Sequence, residues 1–413
     1  MNIEKDRLYN DLEQIAQFGK LPQGGVTRLA LSTMDMHART YLIDAMKQAN
    51  LDVRIDAVGN IYGRREGKQN LPPVLLGSHL DTVPEGGNYD GIVGVSSALE
   101  VIRTLNDADI ITERPIEIIN FTAEESSRFR ASTIGSKALK GVITSEKMHK
   151  MVDKEGISFY QALKNAGYHP DQLESVQLAP GAYHAFLELH IEQGPVLERL
   201  NKKIGIVTAI AAPTRMHITI EGKADHSGNT PMNMRQDALA GACEVILAIE
   251  EIAKAKAGEH TVGTVGDVSV KPGAMNVIPG EAQLWVDIRD IDYESKKKAV
   301  HLTLEKLDEV AQRRKLAIKY EMLSDEVPVQ LSPRVIQSIQ AVTEKLNFPY
   351  HVMHSGAGHD AMNLVPITDV GMIFVPSKDG ISHNIAEFTS IEDIALGANV
   401  LLHTVYQLSM EGE

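Results

Sequence analysis

Three short apolar runs, VLLGSHL (74–80), IEIINFTA (116–123) and AFLELHI (185–191), constrain this chain more than any other feature. Each has the length and composition of a buried strand, and GVSSALEVIRTLND (94–107), between the first two, carries helical patterning. Strand–helix–strand alternation predicts an α/β layer built on a mostly parallel sheet. The same texture resumes after Val327, with a helix over PRVIQSIQAVTEKLN, a strand at GMIFVPS (371–377) and a C-terminal helix in SIEDIALGANVLLHTVYQLSM. Ser390 and Asp393 have the spacing of a capping box at the start of that last helix.

Between these halves the pattern changes. TRMHITIEG (214–222) alternates, a helix follows from Arg235 to Lys254, and TVGDVSV (264–270) and EAQLWVDIRD (281–290) alternate again. A helix across YESKKKAVHLTLEKLDEVAQRR and the run LAIKYEML (316–323) close the set. This β-α-β-β-α-β order predicts a ferredoxin-like α+β domain. The expected organisation is a discontinuous α/β domain, residues 1–212 and 328–413, with the smaller domain inserted at 213–327. A length of 413 residues also favours two cores over one.

An excess of 55 acidic over 41 basic residues gives a net charge of −14 and argues against a polyanion-coating surface, so nucleic acid is not an expected partner. Cys243 is the single cysteine, so no intrachain disulfide can form; within ALAGACEVILAIEEIA it reads as a buried packing residue. The N-terminal MNIEKDRLYNDLEQIAQFG lacks an apolar targeting segment, and no stretch approaches the ~18 apolar residues of a membrane span. The expectation is a soluble, cytoplasmic protein with no membrane partner.

Loops at the C-terminal edge of a parallel sheet gather functional side chains. GSHLDTV places His79 and Asp81 there, and GGNYDGIVGV places Asp90 in a glycine-rich turn opening a helix. FTAEESSRF supplies Glu124 and Glu125, LELHIEQG supplies His190 and Gln193, and GISHNIAE supplies His383. Three imidazoles, Asp90 and one of the two glutamates suit a pair of divalent ions sharing one carboxylate, with Asp90 the candidate bridge. The other glutamate is then free to take a proton from water and return it to a leaving group, which accounts for two adjacent carboxylates at one strand end. Asp81, two residues after His79, is expected to accept the outer N–H of that imidazole.

These motifs, with HSGNTPM, NVIPG…DIRD, SGAGHDAM and GISHNIAEFT, resemble the dinuclear M20-type amidohydrolases, within them the group of N-carbamoyl-L-amino-acid hydrolases, allantoate amidohydrolases and β-ureidopropionases. The resemblance runs from GGVTRLA (24–30) to the C-terminal helix. HIEQG and SGAGHD are particular to the group, since its peptidase relatives usually carry a carboxylate where His190 stands. It implies metal ligands His79, bridging Asp90, Glu125, His190 and His383, with Glu124 as general base. It also implies two divalent ions per subunit (Zn, Mn, Co or Ni), and that the inserted domain serves as lid and dimerisation domain of a homodimer. Ser126, Ser227 and Asn229 depart from the group's commoner residues, conservatively and close to the backbone.

The implied reaction is hydrolysis of the carbamoyl C–N bond of an N-carbamoyl-L-amino acid to amino acid, CO2 and ammonia, with allantoate the alternative substrate. A small ureido acid needs a carboxylate clamp, and Arg289 in WVDIRD, with Asn276 beside it, is the candidate. His226 in KADHSGNTP is the candidate for polarising the carbonyl. Gln193 is placed to meet the ureido group, and Gly356 and Gly358 of SGAGHD to offer backbone N–H groups. His359 and Asp360 either orient the substrate or brace that loop.

Overall fold

The computed structural model describes residues 1–412. The described residues divide into two compact units, residues 1–208, 331–355 and 359–412, and residues 209–330 with 356–358.

At the centre of the first unit, Ile116–Phe121, Val74–His79, Ala185–Ile191 and Val370–Val375 lie side by side in that order, all parallel. Antiparallel strands flank them: Ile61–Arg65 and then Asp52–Ile55 on one side, Ile204–Ile210 on the other. The mostly parallel α/β sheet predicted from the sequence is therefore present. The outer strand DVRI (52–55) escapes sequence reading because it is largely exposed and carries no apolar run.

Alternation along each strand sorts the side chains. Val74, Leu76, Ile116, Ile118, Leu187, Leu189, Ile373 and Val375 join one hydrophobic core with the helices Lys5–Ala16, Thr33–Gln48, Ile92–Asp107, Pro333–Lys345 and Ile391–Ser409. The intervening positions, His79, Phe121, Phe186, His190 and Phe374 among them, take the opposite face, where the Phe121 and Phe186 rings meet edge to face at 5.8 Å. In register, His79 lies beside Phe121 and His190 beside Phe374, so both imidazoles reach the C-terminal edge of the sheet on one side.

Gly77 makes this close strand packing possible. A Cβ at Gly77 would lie 1.8 Å from the Ile119 carbonyl oxygen on the neighbouring strand, and its φ is +155°. Gly77→Ala is expected to destabilise the protein by about 3 kcal/mol or more. The check is the urea unfolding midpoint; an unchanged midpoint would contradict the tight strand approach.

The second unit holds a four-stranded antiparallel sheet in the order Ala317–Asp325, Ala212–Glu221, Glu281–Asp290, Val262–Lys271. Met216, Ile218, Ile220, Leu284, Val286 and Ile288 pack with the helices Ala238–Ala255 and Tyr293–Arg314 in a separate core. The other sheet face carries Arg215, His217, Trp285, Asp287 and Arg289, with His217 and Trp285 in ring contact at 4.7 Å. Cys243, expected to be buried, is exposed: its helix turns Ala242 and Val245 into the core and leaves Cys243 outside.

Candidate functional site

Each strand-end loop of the first unit delivers one or two polar side chains to a shared cluster. His79 ends its strand with Nδ1 at 3.0 Å from the Asp81 main-chain carbonyl, and His190 holds Nδ1 at 2.9 Å from the Ile191 carbonyl. Both Nδ1 atoms therefore carry the proton, and both Nε2 lone pairs are left for the cluster. Asp90 sits in the turn before the helix Ile92–Asp107, and Gly91 after it has φ +74°. An added Cβ at Gly91 would lie 2.4 Å from the His79 ring, so only glycine lets the turn and the imidazole approach.

The glutamates occupy a turn after Ile116–Phe121. Ala123 takes φ +55°, and the first N–H groups of the short helix Ile134–Leu139 and its cap bind the turn: Thr133 N donates to Glu124 O at 2.7 Å and Ile134 N to Ala123 O at 3.0 Å. Asp81 grips the same turn from the other side, its two carboxylate oxygens accepting the Glu124 N–H (3.2 Å) and the Glu125 N–H (3.0 Å). This corrects the expectation for Asp81. Its main-chain carbonyl, not its carboxylate, accepts the His79 N–H, and the nearest carboxylate oxygen is 3.9 Å away because it faces the two amides.

Asp90 is central. Its Oδ1 lies 3.1 Å from His190 Nε2 and 3.7 Å from His79 Nε2, while its Oδ2 lies 3.1 Å from His383 Nε2. His383 Nε2 is also 3.2 Å from Glu125 Oε1. Two donor triads result, His79–Asp90–His190 and Asp90–Glu125–His383, each with ligand atoms within 4.8 Å of one another and both using Asp90. Glu124 belongs to neither triad, and its Oε2 is 3.9 Å from His79 Nε2. Gln193 joins the cluster by donating from Nε2 to Asp90 Oδ2 at 2.7 Å. Ala123, Gln193 and His383 all have left-handed backbone without being glycine (φ +55°, +57° and +54°), a concentration of strain typical of functional sites.

Charge in this cluster is concentrated and buried. Burial, and then the charges of Glu125, Asp360, Asp81 and Asp90, push Glu124 well above the usual carboxylate range. Burial, and then the charge of Asp35, carry Asp81 to about 7. Against the penalty of burial, the imidazoles of His190 and His383, each 3.1 Å from one of its oxygens, hold Asp90 well below the usual range. Hydrogen bonds to Asp90 and Glu125 raise His383 to about 11. His190 Nε2 is buried and makes no hydrogen bond of good geometry. Mixed imidazole and carboxylate donors, inward lone pairs and crowded buried acids fit divalent cations, whose charge such a cluster needs.

Five of the candidates, His226, Asn276, Arg289, Gly356 and Gly358, lie in the second unit. His226 and Val277 are paired in the ribbon of Asp225–His226 with Val277–Ile278, and Asn276 O accepts the Ser227 N–H at 3.1 Å, so His226 and Asn276 are neighbours. His226 is exposed, its Nδ1 accepting the N–H groups of Gly228 (3.0 Å) and Asn229 (3.2 Å). Arg289 is held by Asp287 through Nε (2.8 Å) and Nη2 (3.1 Å), and donates from Nη1 to Gly356 O at 3.0 Å, which joins it to the loop of Gly358.

For the pair that the sequence left open, the structure favours bracing. The Asp360 carboxylate accepts from the Ser136 hydroxyl, and His359 Nε2 meets Ser355 Oγ at 2.8 Å with its ring against His190. Sequence reading missed Glu188, buried beside His190 and His359, although its i, i+2 spacing from His190 places it on the same strand face. It also missed Glu387, four residues after His383.

Asp81→Asn offers a single acceptor oxygen to two N–H groups and turns its own NH2 toward one of them. The expected result is a kcat lower by about 10- to 100-fold with two ions still bound. Turnover assays beside metal analysis check it, and full activity in the variant would rule out the grip on the glutamate turn.

The model of peptidase family M20/M25/M40 matches residues 75–407. The chain is 42% identical to an N-carbamoyl-L-amino acid amidohydrolase of Geobacillus stearothermophilus over 412 residues, with 100% of each protein covered. It is 35% identical to the allantoate amidohydrolase of Escherichia coli, with 97% of each chain covered. A crystal structure of an amidase of the hydantoinase/carbamoylase family from Burkholderia multivorans superposes with a TM-score of 0.94 at 38% identity, covering 100% of this chain and 99% of that one.

Proposed function

The chain belongs to peptidase family M20/M25/M40, and from that premise we propose that it hydrolyses the carbamoyl C–N bond of N-carbamoyl-L-amino acids. One ureido acid and one water give the amino acid, CO2 and ammonia. The observation that carries the reading is the pair of donor triads sharing Asp90, with Glu124 close by and outside both. His79, Asp90 and His190 would hold one divalent ion, and Asp90, Glu125 and His383 the other. When bound, the ions supply Lewis acidity and an acidified water.

The remaining steps belong to side chains. Glu124 takes a proton from the attacking water and delivers it to the departing nitrogen. Gln193 meets the ureido group. Arg289 and Asn276 bind the substrate carboxylate, supported by N–H groups of the Gly358 loop, and His226 donates to the carbonyl oxygen as negative charge develops there. Zn, Mn, Co or Ni all suit this donor set.

The second unit is proposed to act as lid and dimerisation domain. Its ten-residue strand Val262–Lys271 is an edge of the sheet, paired only with Glu281–Asp290, the kind of surface that pairs readily with a second copy. No helix among the described residues is long and apolar enough to cross a membrane, and a cytoplasmic homodimer is the proposed form.

Allantoate is the second reading, supported by the full-length similarity to the Escherichia coli allantoate amidohydrolase. Ammonia release decides between them, measured on protein reconstituted separately with Mn, Co and Zn. Faster turnover of N-carbamoyl-L-amino acids is expected. Preference for allantoate would transfer the same residues to that substrate, and no release from either would overturn the substrate assignment.

A further inference from the structure

The loop that carries His383 is poorly buried. His383 has 51% of its side chain exposed, and residues 383–386 and 388 are all exposed. Glu387 is the exception at 5%. Its Oε1 accepts two successive backbone N–H groups of the opposing turn, Tyr89 at 3.0 Å and Asp90 at 3.1 Å. Its Oε2 lies 2.9 Å from Ser382 Oγ, which is 3.1 Å from Asp90 Oδ2. The Tyr89 and Phe388 rings close the same junction edge to face at 5.7 Å. Gly87 leaves the room for it, since a Cβ there would stand 2.1 Å from Glu387 Oε1.

We propose that Glu387 is a positioning residue that ties the His383 loop to the Asp90 turn and thereby sets the affinity of the Asp90–Glu125–His383 triad for its ion. The inference rests on the two-ion reading of the site. The clasp orients Asp90 through its own backbone N–H and, through Ser382, at the Oδ2 atom that faces His383. The His79–Asp90–His190 triad depends on it less, because both of its imidazoles stand on strands and are held by main-chain carbonyls. A buried carboxylate so close to the cluster could instead act by its charge, and glutamine separates the two roles. The Glu387→Gln side chain would keep a carbonyl oxygen for the two N–H groups, and its NH2 would donate to Ser382 Oγ, leaving the single hydroxyl hydrogen for Asp90.

The test compares wild type, Glu387→Ala and Glu387→Gln, each shown to be folded by circular dichroism, in two measurements. Calorimetric titration of metal-free protein with Mn2+ and with Zn2+ is expected to show two sites in wild type. In Glu387→Ala one of them weakens by about 10- to 100-fold and the other by no more than about threefold, whereas Glu387→Gln stays within about threefold at both. Amide hydrogen exchange without metal is expected to accelerate about tenfold at Tyr89 and Asp90 in the alanine variant, and to stay near wild type in the glutamine variant. Two sites of unaltered affinity in Glu387→Ala, equal weakening of both, or a glutamine variant as impaired as alanine would each overturn the proposal while leaving the two-ion reading intact. A wild-type protein that takes up fewer than two ions would sink that reading, and the proposal with it.

Discussion

Glu124→Gln is expected to lower kcat by about a thousandfold or more, within the range of general acid–base catalysis, while leaving two bound ions in place. Glutamine has the shape of glutamate and keeps the backbone N–H at position 124 that Asp81 accepts, so the turn is retained. Glu124 stands outside both donor triads, so removing its charge subtracts no ligand. What disappears is a carboxylate 3.9 Å from His79 Nε2 that belongs to neither triad. Burial and the surrounding acids already hold this group well above the usual carboxylate range, so its affinity for a proton suits a base that must also give the proton back. The check is steady-state turnover of an N-carbamoyl amino acid alongside metal analysis of the same sample. A variant with full kcat, or one that has lost an ion, would remove Glu124 from the proton-transfer role.

Asp90→Asn is expected to be the most damaging single change at the ligands. Both triads draw on this carboxylate, one through Oδ1 toward His79 and His190 and the other through Oδ2 toward His383. An amide offers one oxygen and sets an NH2 against a histidine nitrogen. Since partners that merely orient ligands cost about 10- to 100-fold in metal affinity, losing the shared ligand should cost both ions at least about a hundredfold, and turnover should fall to background. His383→Ala provides the contrast, because it touches one triad only and is expected to leave one ion bound. Two ions retained at wild-type affinity in Asp90→Asn would refute the bridge.

The parts of this protein that were legible in the sequence rest on local repetition. Mostly apolar runs marked the parallel strands Val74–His79 and Ala185–Ile191, and the change to alternation near residue 214 marked the antiparallel sheet whose strand Glu281–Asp290 lies at its interior. The outer strand Asp52–Ile55 gave no such signal, because an exposed edge carries no run of apolar residues.

Residue types at strand ends are equally local, so His79, Asp90, the glutamate pair and His190 could be singled out from strand periodicity and glycine placement alone. How those groups divide their work is not local. Glu124 and Glu125 share one turn, and only the approach of His383, from the far end of the chain, places Glu125 in a donor triad and leaves Glu124 outside. Asp81 turns its carboxylate from His79 to the glutamate amides, and Glu387 meets the backbone of Tyr89 and Asp90, for the same reason. Hydrogen bonds from backbone N–H groups carry no side-chain signature at the donating loop. The sequence by itself therefore determined which chemical groups this protein possesses and on which strand ends they stand; which group faces which was decided only when distant loops packed against one another.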